Sequence, residues 1–416
     1  MMSATASIRP DGAITSLQRS LSLAERRRKW RAFTLTLPLL VFLLLTFLVP
    51  IVALLKRAVE NPEVATSLTR TVAALDKWDR SSEPPSAAFA AIVADLGAMT
   101  DRSEAGALAR RLNSAVPGGR SLIMDAYKAL PMSGTPDELK TQLITLDARW
   151  AELKYWQAIA KNGSRWTPDY LLASVDLRRD PNGSVERMPP DQQVFAGILA
   201  RTFEISAAVT IACLLIGYPI AYWLSTLPAR KANMLMILVL VPFWTSVLVR
   251  VAAWMVLLQS NGLVNRALMF LGITDHPLEL LFNRTGVIIA MTHILLPYMI
   301  LPLYSVMKAV PGTYVRAAVS MGSPPLAAFF RVYVPQTYAG VGAGVLLVFI
   351  ISIGYYVTPA LLGGADDQML SYYIAHYTNV NINWGMACAL GTVLLSATLV
   401  LYGLYRHISK SELSMG

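Results

Sequence analysis

Long apolar runs separated by polar segments dominate the pattern of this chain of 416 residues. A helix that crosses a bilayer needs roughly 20 predominantly apolar residues, and six runs reach that length with few charges. The pattern therefore predicts an all-α integral membrane protein with six transmembrane helices. The predicted spans are 33–55, 198–227, 233–258, 285–306, 338–360 and 383–405.

Four basic residues, Arg26 to Lys29, precede the first apolar run, as they would in a secretory signal peptide. The run has 23 residues and is followed by Lys56 and Arg57 instead of a small-residue cleavage site. We therefore expect a retained anchor, with a basic tail at 1–31 and the first transmembrane helix at 32–55.

The segment 56–195 is too polar to add a seventh span and carries helix signals instead. Thr135-Pro136-Asp137-Glu138 combines a capping Thr, Pro at the first helical position and Glu at the third, and Thr167-Pro168-Asp169 repeats the start signal. We expect a large, mostly helical insertion with joints near residues 84, 117, 132 and 181. Its clearest element is an amphipathic helix at 136–160, defined by Leu139, Leu143, Leu146, Trp150 and Leu153.

The role of this insertion is open at the level of sequence. It contains no His and no spacing typical of a metal or nucleophile site. It is a docking surface for a soluble partner, a sensor, or a spacer that stabilises an assembly.

The distribution of charged residues predicts the orientation of the chain in the membrane. The net charge is +10, but residues 61–195 hold 16 Lys or Arg and 17 Asp or Glu, so the excess belongs to the membrane part and its tails. The tails and loops 1–31, 228–232, 307–337 and 406–416 carry 14 basic residues and three acids. Basic loops stay in the cytoplasm, so we expect both termini inside and 56–195 outside. Orientation explains the excess without a nucleic acid partner.

Catalytic chemistry is not expected in this chain. No G-x-x-x-x-G-K-[ST], H-E-x-x-H or G-x-S-x-G pattern occurs, and the four His residues are scattered. Cys213 and Cys388 lie in apolar stretches, and we interpret both as packing residues. We predict no enzyme activity, no catalytic or metal site, and no cofactor bound by this chain, so any ATP must be used by a partner.

The predicted cytoplasmic loop 307–337 carries an unusual stretch, VRAAVSMGSPPLAAFFRVYVP at 315–335. Gly322 ends a first short helix, Ser323 caps a second with Pro324 at its first position, and Pro335 stops it. Leu326, Phe329 and Phe330 share one face of that second helix. Such a face fits a groove on another protein or an interfacial helix on lipid headgroups, and the pattern alone leaves both open.

This stretch resembles the coupling (EAA) loop of type I ABC importer permeases, in Ala317-Ala318, Gly322 and Phe330-x-Val332-x-Val334-Pro335. That family usually has Glu where this chain has Arg316, so either the ATPase surface compensates or Gly322 and the apolar face carry the contact. Within the family the chain is similar to the spermidine/putrescine branch. The stretches that carry this similarity are 201–224, 242–268, 296–304, 354–370 and Asn383-Trp384, all within 196–405.

The resemblance implies a subunit of an inner-membrane importer of a bacterium, with a permease core at 196–405 and a cytoplasmic tail at 406–416. Implied partners are a second permease, most simply in a heterodimer, two ATPase subunits that use ATP and Mg, a periplasmic solute-binding protein, and membrane lipid. The coupling residues it implies are Arg316, Ala317, Ala318, Gly322, Leu326, Phe329, Phe330 and Pro335.

A polyamine cargo would meet no carboxylate inside the predicted spans, so we expect weak contacts along its path. Carboxylates near the outer mouth attract ammonium groups, and aromatic rings hold them by cation–π contact; for the rings, packing is the competing explanation. The candidate path residues are Glu204, Trp244, Trp254, Tyr355, Tyr356, Asp366 and Asp367. Arg250, about 27 Å along a straight third span, is expected to snorkel to its outer edge.

Two alternatives stay open. Another small organic solute, such as an opine or an amino acid, would keep the mechanism and change the cargo. A membrane receptor that senses through 56–195 is the alternative from another class of protein.

Overall fold

The computed structural model describes residues 11–180 and 184–413, and the chain divides into two units between Lys56 and Arg57. In the first unit, α1 (Asp11–Leu43) continues through a π-helical turn at Leu44–Leu48 into α2 (Val49–Arg57). Pro50 has no N–H and its ring crowds the carbonyl four residues back, which accounts for the widened turn just before it. Arg28–Arg57 is long and apolar enough to cross a membrane.

The insertion is helical, with one small antiparallel hairpin. Its own apolar core centres on Phe89, Trp150 and Trp156, whose rings lie 4.5 Å (Phe89 to Trp156) and 5.5 Å (Trp150 to Trp156) apart. The elements are α3 (Pro62–Ser67), α4 (Thr69–Leu75), α5 (Ser86–Ala98), α6 (Arg102–Ala115), α7 (Gly119–Lys128), α8 (Pro136–Leu146), α9 (Leu153–Asn162), α10 (Asp169–Ala173), β1 (Leu177–Arg179) and β2 (Val185–Arg187).

The single helix predicted at 136–160 is wrong in its length. Its start is confirmed, because Thr135 and Glu138 form the predicted capping box. The helix ends at Leu146 because Asp147 is extended and its carboxylate binds the backbone N–H (3.0 Å) and guanidinium (2.6 Å) of Arg149. Such local bonds compete with helix continuation, and they also lower the pKa of Asp147. A 3₁₀ turn at Ala148–Ala151 then leads into α9.

The other insertion signals hold with small shifts. Helices are interrupted at the expected joints near 84, 117 and 132, whereas residue 181 lies outside the described residues. The helix at Thr167-Pro168-Asp169 begins one residue later than predicted, with Pro168 in the capping position. The Thr167 hydroxyl still accepts from the Asp169 N–H at 3.2 Å.

Twelve further helices follow the insertion in the described part of the chain. They are α11 (Phe195–Thr226), α12 (Ala229–Leu240), α13 (Val247–Leu258), α14 (Leu263–Phe270), α15 (Arg284–Ala309), α16 (Thr313–Ser320), α17 (Pro325–Ala328), α18 (Val334–Gln336), α19 (Tyr338–Ile353), α20 (Val357–Leu362), α21 (Leu370–Asn379) and α22 (Trp384–Leu413).

Two predicted spans are not single helices. The span predicted at 233–258 breaks at a 3₁₀ turn, Val241–Trp244, because Pro242 cannot donate a helical hydrogen bond. The apolar helix long enough to cross lies further on, at Val247–Phe270. The span predicted at 338–360 is interrupted after Ile353, and α20 begins at Val357. Tyr338–Ile353 reaches membrane length only together with the preceding Pro325–Gln336, from which it is bent by 62°. The described residues therefore hold five membrane-length helices, or six if this pair counts as one span.

Close packing of α11, α15 and α19 forms the centre of the membrane part. Met299 of α15 lies between Gly217 of α11 and Gly344 of α19. A Cβ at Gly344 would come within 2.7 Å of the Met299 sulfur, and one at Gly217 within 3.1 Å of its Cγ. Small residues at these positions let the helix backbones approach, as is usual between membrane helices.

The insertion joins this core through apolar packing of Tyr170 with Ile198 and Leu390 and through a buried carboxylate. Asp176, just before β1, is buried and accepts from three backbone N–H groups at the start of α11, those of Val194 (3.0 Å), Phe195 (2.9 Å) and Ala196 (2.7 Å). The first N–H groups of a helix have no partner within it. Asp176 therefore caps a 32-residue helix from a distance of 18 to 20 residues along the chain.

Replacing Asp176 tests this junction. Asp176→Ala leaves the three N–H groups without acceptors, and we expect the junction to lose about 1–3 kcal/mol of local stability. Amide exchange of residues 194–200, measured by mass spectrometry on the full chain, should accelerate about tenfold or more. Asp191→Ala, an exposed carboxylate in the same segment, is the control and should leave exchange unchanged. Equal exchange in both variants would show that the cap does not hold the helix.

Candidate functional site

The segment predicted to couple to an ATPase forms two short helices around Gly322. Gly322 has φ of +90° with open space around it, so its backbone conformation and not crowding requires glycine. The apolar side chains Met321 (83% exposed), Leu326 (75%) and Phe330 (64%) project from this turn, from α17 and from the π-helical turn Phe329–Tyr333 that follows it. Arg316, Ala317 and Pro335 are also exposed, while Ala318 is buried.

Two details of the prediction for this segment are wrong. Ser323 does not cap the second helix; Pro324 occupies the capping position and Pro325 the first helical one. Phe329 does not share the exposed face of Leu326 and Phe330. It is half-buried and stacks on Tyr333, with ring centres 5.5 Å apart, because a π-helical turn at Phe329–Tyr333 rotates the chain.

The inward side of the segment is anchored to the end of α11. Tyr222 packs its ring edge against Phe329 (5.1 Å) and Tyr333 (5.2 Å). Lys308 donates to the carbonyl oxygens of Ser225 (3.2 Å) and Leu227 (3.0 Å), the last carbonyls of that helix. The segment therefore contacts the end of α11 directly, and Lys308 joins α15 to the same helix end.

The predicted mouth carboxylates are brought together by an arginine that the prediction did not include. Arg284 at the start of α15 donates to Glu204 (3.3 Å) and to Asp367 (3.2 Å). Asp366 is exposed beside them, and its carbonyl accepts from Arg201. Three carboxylates and two guanidinium groups thus share this mouth. Glu204 and Arg284 are exposed, so that their pairing is weak and exchangeable.

The predicted aromatic residues are dispersed. Trp244 is 77% exposed in the 3₁₀ break, and Tyr356 is exposed near the start of α20. Trp254 donates from its indole N–H to Nδ1 of His293 at 3.2 Å. Tyr355 is half-buried, and its hydroxyl has no hydrogen-bond partner within the described residues. The structure does not gather these rings into one cage.

The helix that carries Arg250 begins later than the prediction assumed. The expected position at the outer edge assumed a straight helix from Ala232, and the break at Val241–Trp244 removes that premise. Arg250 is half-buried in α13, and its Nε is buried without a hydrogen-bond partner in the described chain.

Comparison with known proteins identifies the family. Residues 205–412 match the family described as binding-protein-dependent transport system inner membrane component. The spermidine/putrescine transport system permease protein PotB of Escherichia coli K12 is 32% identical over 209 residues, which is 49% of this chain and 76% of that protein. PotB of Haemophilus influenzae is 35% identical over 209 residues, 50% of this chain and 73% of that protein.

A crystal structure of a bacterial alginate ABC transporter, in complex with an alginate pentasaccharide-bound periplasmic protein, contains a chain that overlaps 52% of this one. The overlap covers 78% of that chain, with a TM-score of 0.43 and 16% identity. With the family match over half of its length and the PotB relatives above 30% identity, this chain belongs to the binding-protein-dependent ABC importer permeases, the inner membrane components of these transport systems.

Proposed function

We propose that this chain is the permease subunit of a polyamine importer and forms the path for putrescine- and spermidine-like cations. A soluble binding protein delivers the cargo, and the chain works with a second permease and two ATPase subunits. The assignment of cargo rests on the similarity to spermidine/putrescine permeases. The exposed carboxylates Glu204 and Asp366 fit a cargo that must bind weakly and leave.

The observation that supports ATPase coupling best is the exposed apolar turn of Met321, Leu326 and Phe330. Each fully buried side chain of this size contributes about 1.5–3 kcal/mol, so that a protein groove over the turn would gain several kcal/mol. Within the described residues Arg316 forms no ion pair, which leaves it free for an acidic group on the ATPase. This side is then cytoplasmic, and the insertion and the carboxylate mouth face outward.

The proposed mechanism is alternating access. ATP binding closes the ATPase pair and draws the turns of the two permeases together. The contacts of Phe329, Tyr333 and Lys308 with the end of α11 pass that displacement to the packed helices, which open the path outward. Hydrolysis then resets the path inward.

Loss of the exposed apolar side chains should uncouple the ATPase. In Leu326→Ser/Phe330→Ser, two exposed apolar side chains are removed, and we expect at least about a tenfold weaker affinity for the ATPase. The ratio of ATPase to tagged chain after co-purification measures this. Leu146→Ser, exposed on the insertion, is the control and should keep the wild-type ratio. An unchanged ratio in the double variant would refute coupling through this turn.

Two glycines allow the requirement for a left-handed backbone to be tested separately from the room available for a side chain. Gly322 and Gly312 both have open surroundings, but φ is +90° at Gly322 and −65° at Gly312. Alanine at Gly322 is strained by about 1–2 kcal/mol, which should lower cargo uptake at equal membrane levels. Gly312→Ala should transport normally. If the two variants transport alike, the left-handed turn is not required for coupling.

Uptake tests the cargo directly. In cells that lack only this chain, restoring it should raise the initial uptake of labelled putrescine and spermidine, and excess unlabelled spermidine should compete. Leu326→Ser/Phe330→Ser, at matched membrane levels, serves as the transport-deficient control. If the intact chain restores neither uptake, polyamine is the wrong cargo, and labelled opines and amino acids are the next substrates to compare.

A further inference from the structure

A large cleft lies between the insertion and the segment that joins α21 to α22. Its volume is about 1380 Å³, and its walls come from α6, α9, α10 and β1 on one side and from residues 377–386 on the other. Small-molecule sites usually measure roughly 300–1,000 Å³. The cleft therefore has room for a protruding segment of another protein.

The cleft is strongly basic, although the insertion as a whole is nearly neutral. Nine Lys or Arg residues and three Asp or Glu residues line it, a surplus of six positive charges. Over 61–195 as a whole, acids outnumber bases by one. The basic side chains are therefore concentrated on this wall and are not spread over the surface, and a concave arrangement of like charges focuses their field.

The charged side chains on the floor of the cleft already have partners within the chain. Arg111 lies over the ring of Tyr170, 4.8 Å from its centre, and donates to Asn61, Asn162 and Ser114. Arg179 pairs with Asp169 at 2.7 Å. Burial alone would raise the pKa of Asp169, but the hydrogen bond from Arg179 and the charges of Lys161 and Arg179 outweigh it, so this pKa is lowered and the pair stays ionised.

The rim carries the unbalanced charge. Arg80, Arg110 and Arg120 line the cleft, and none of them has an ion pair within residues 11–180 and 184–413. Arg80 and Arg120 are exposed, and Arg110 is half-exposed. Free guanidinium groups around an opening favour a carboxylate-bearing surface that covers the rim, and they repel a polycation.

The position of the cleft indicates which partner would use it. The ten-residue helix α21 runs from the mouth, where Asp367 pairs with Arg284, to the cleft, which Tyr377 lines. That helix is about 15 Å long. A typical protein interface covers about 800 Å² on each partner, a disc roughly 30 Å across, so that one docked protein reaches both places.

We propose that this basic cleft docks an acidic face of the soluble solute-binding protein, and this inference rests on the proposed function. A protein that selects polycations presents carboxylates around its cargo, which complement Arg80, Arg110 and Arg120. The same field keeps released cargo out of the cleft and leaves it near the carboxylates of the mouth.

Charge reversal at the rim tests the docking. The variant Arg80→Glu/Arg110→Glu/Arg120→Glu is compared with Arg70→Glu/Lys77→Glu/Arg102→Glu. These control positions are exposed on the insertion, lie outside the cleft, and have no ion pair in the described part of the chain. Both variants change the net charge equally. Labelled putrescine uptake at matched membrane levels should fall at least about tenfold in the rim variant and stay near wild type in the control.

Two failures are distinguishable in this experiment. If the wild-type chain takes up no putrescine, the polyamine function fails and this docking proposal fails with it. If the wild-type chain transports putrescine and the rim and control variants behave alike, only the docking proposal is overturned. The neutral variant Arg80→Gln/Arg110→Gln/Arg120→Gln should fall between wild type and reversal, which separates a field effect from a folding defect.

Association kinetics identify the partner. The probe is the putrescine-binding protein purified from the same cells, added to the complete transporter in nanodiscs. Docking predicts an association rate constant that falls with added salt, and that is about tenfold lower in the rim variant at low salt. The same transporters are compared by their ATPase activity in phosphatidylglycerol and in phosphatidylcholine nanodiscs. If the association rate constant is unchanged and the rim variant instead loses the stimulation of ATPase activity by phosphatidylglycerol, the cleft binds lipid and docking is overturned.

Discussion

The carboxylate of Asp176 sets how the insertion is attached to the membrane core. Three backbone N–H groups at the start of α11 converge on it, and at a partly buried helix end no other acceptor replaces it at low free energy. α11 in turn packs on α15 and α19 around Met299. The position of the insertion, and of the cleft it forms with residues 377–386, therefore depends on this cap together with the apolar packing of Tyr170 on α11 and α22.

Features determined by neighbouring residues could be predicted from the sequence. The capping box of Thr135 and Glu138 is an example, and so are most of the apolar runs, because length and composition alone decide whether a helix can cross a bilayer. The interruptions were harder to foresee. The bond of Asp147 to Arg149 ends α8, and Pro242 breaks the span predicted at 233–258. Both signals are visible in the sequence, but many Pro residues in membrane helices only bend them.

In the candidate site, too, some features follow from local sequence and others depend on contacts with distant residues. The exposed turn at Gly322 follows from local sequence, since a positive φ favours glycine, although the inward rotation of Phe329 depends on contacts with Tyr222 and Tyr333. At the mouth, the sequence indicated three carboxylates but not Arg284, which binds Glu204 80 residues earlier and Asp367 83 residues later. A partner so distant in sequence is assigned only when the fold brings it near.

The distribution of charge over the molecule is consistent with one direction of cargo movement. A polycation near the insertion meets the repulsive field of the basic cleft, and about 15 Å away along α21 it meets exchangeable carboxylates. Past the mouth, the packed helices offer the half-buried Arg250 and dispersed aromatic rings, and no deep acidic site occurs among the described residues. Strong binding inside the membrane would slow release. Under the proposed function, selection therefore belongs to the soluble partner, and the permease needs only a mouth whose weak pairs exchange.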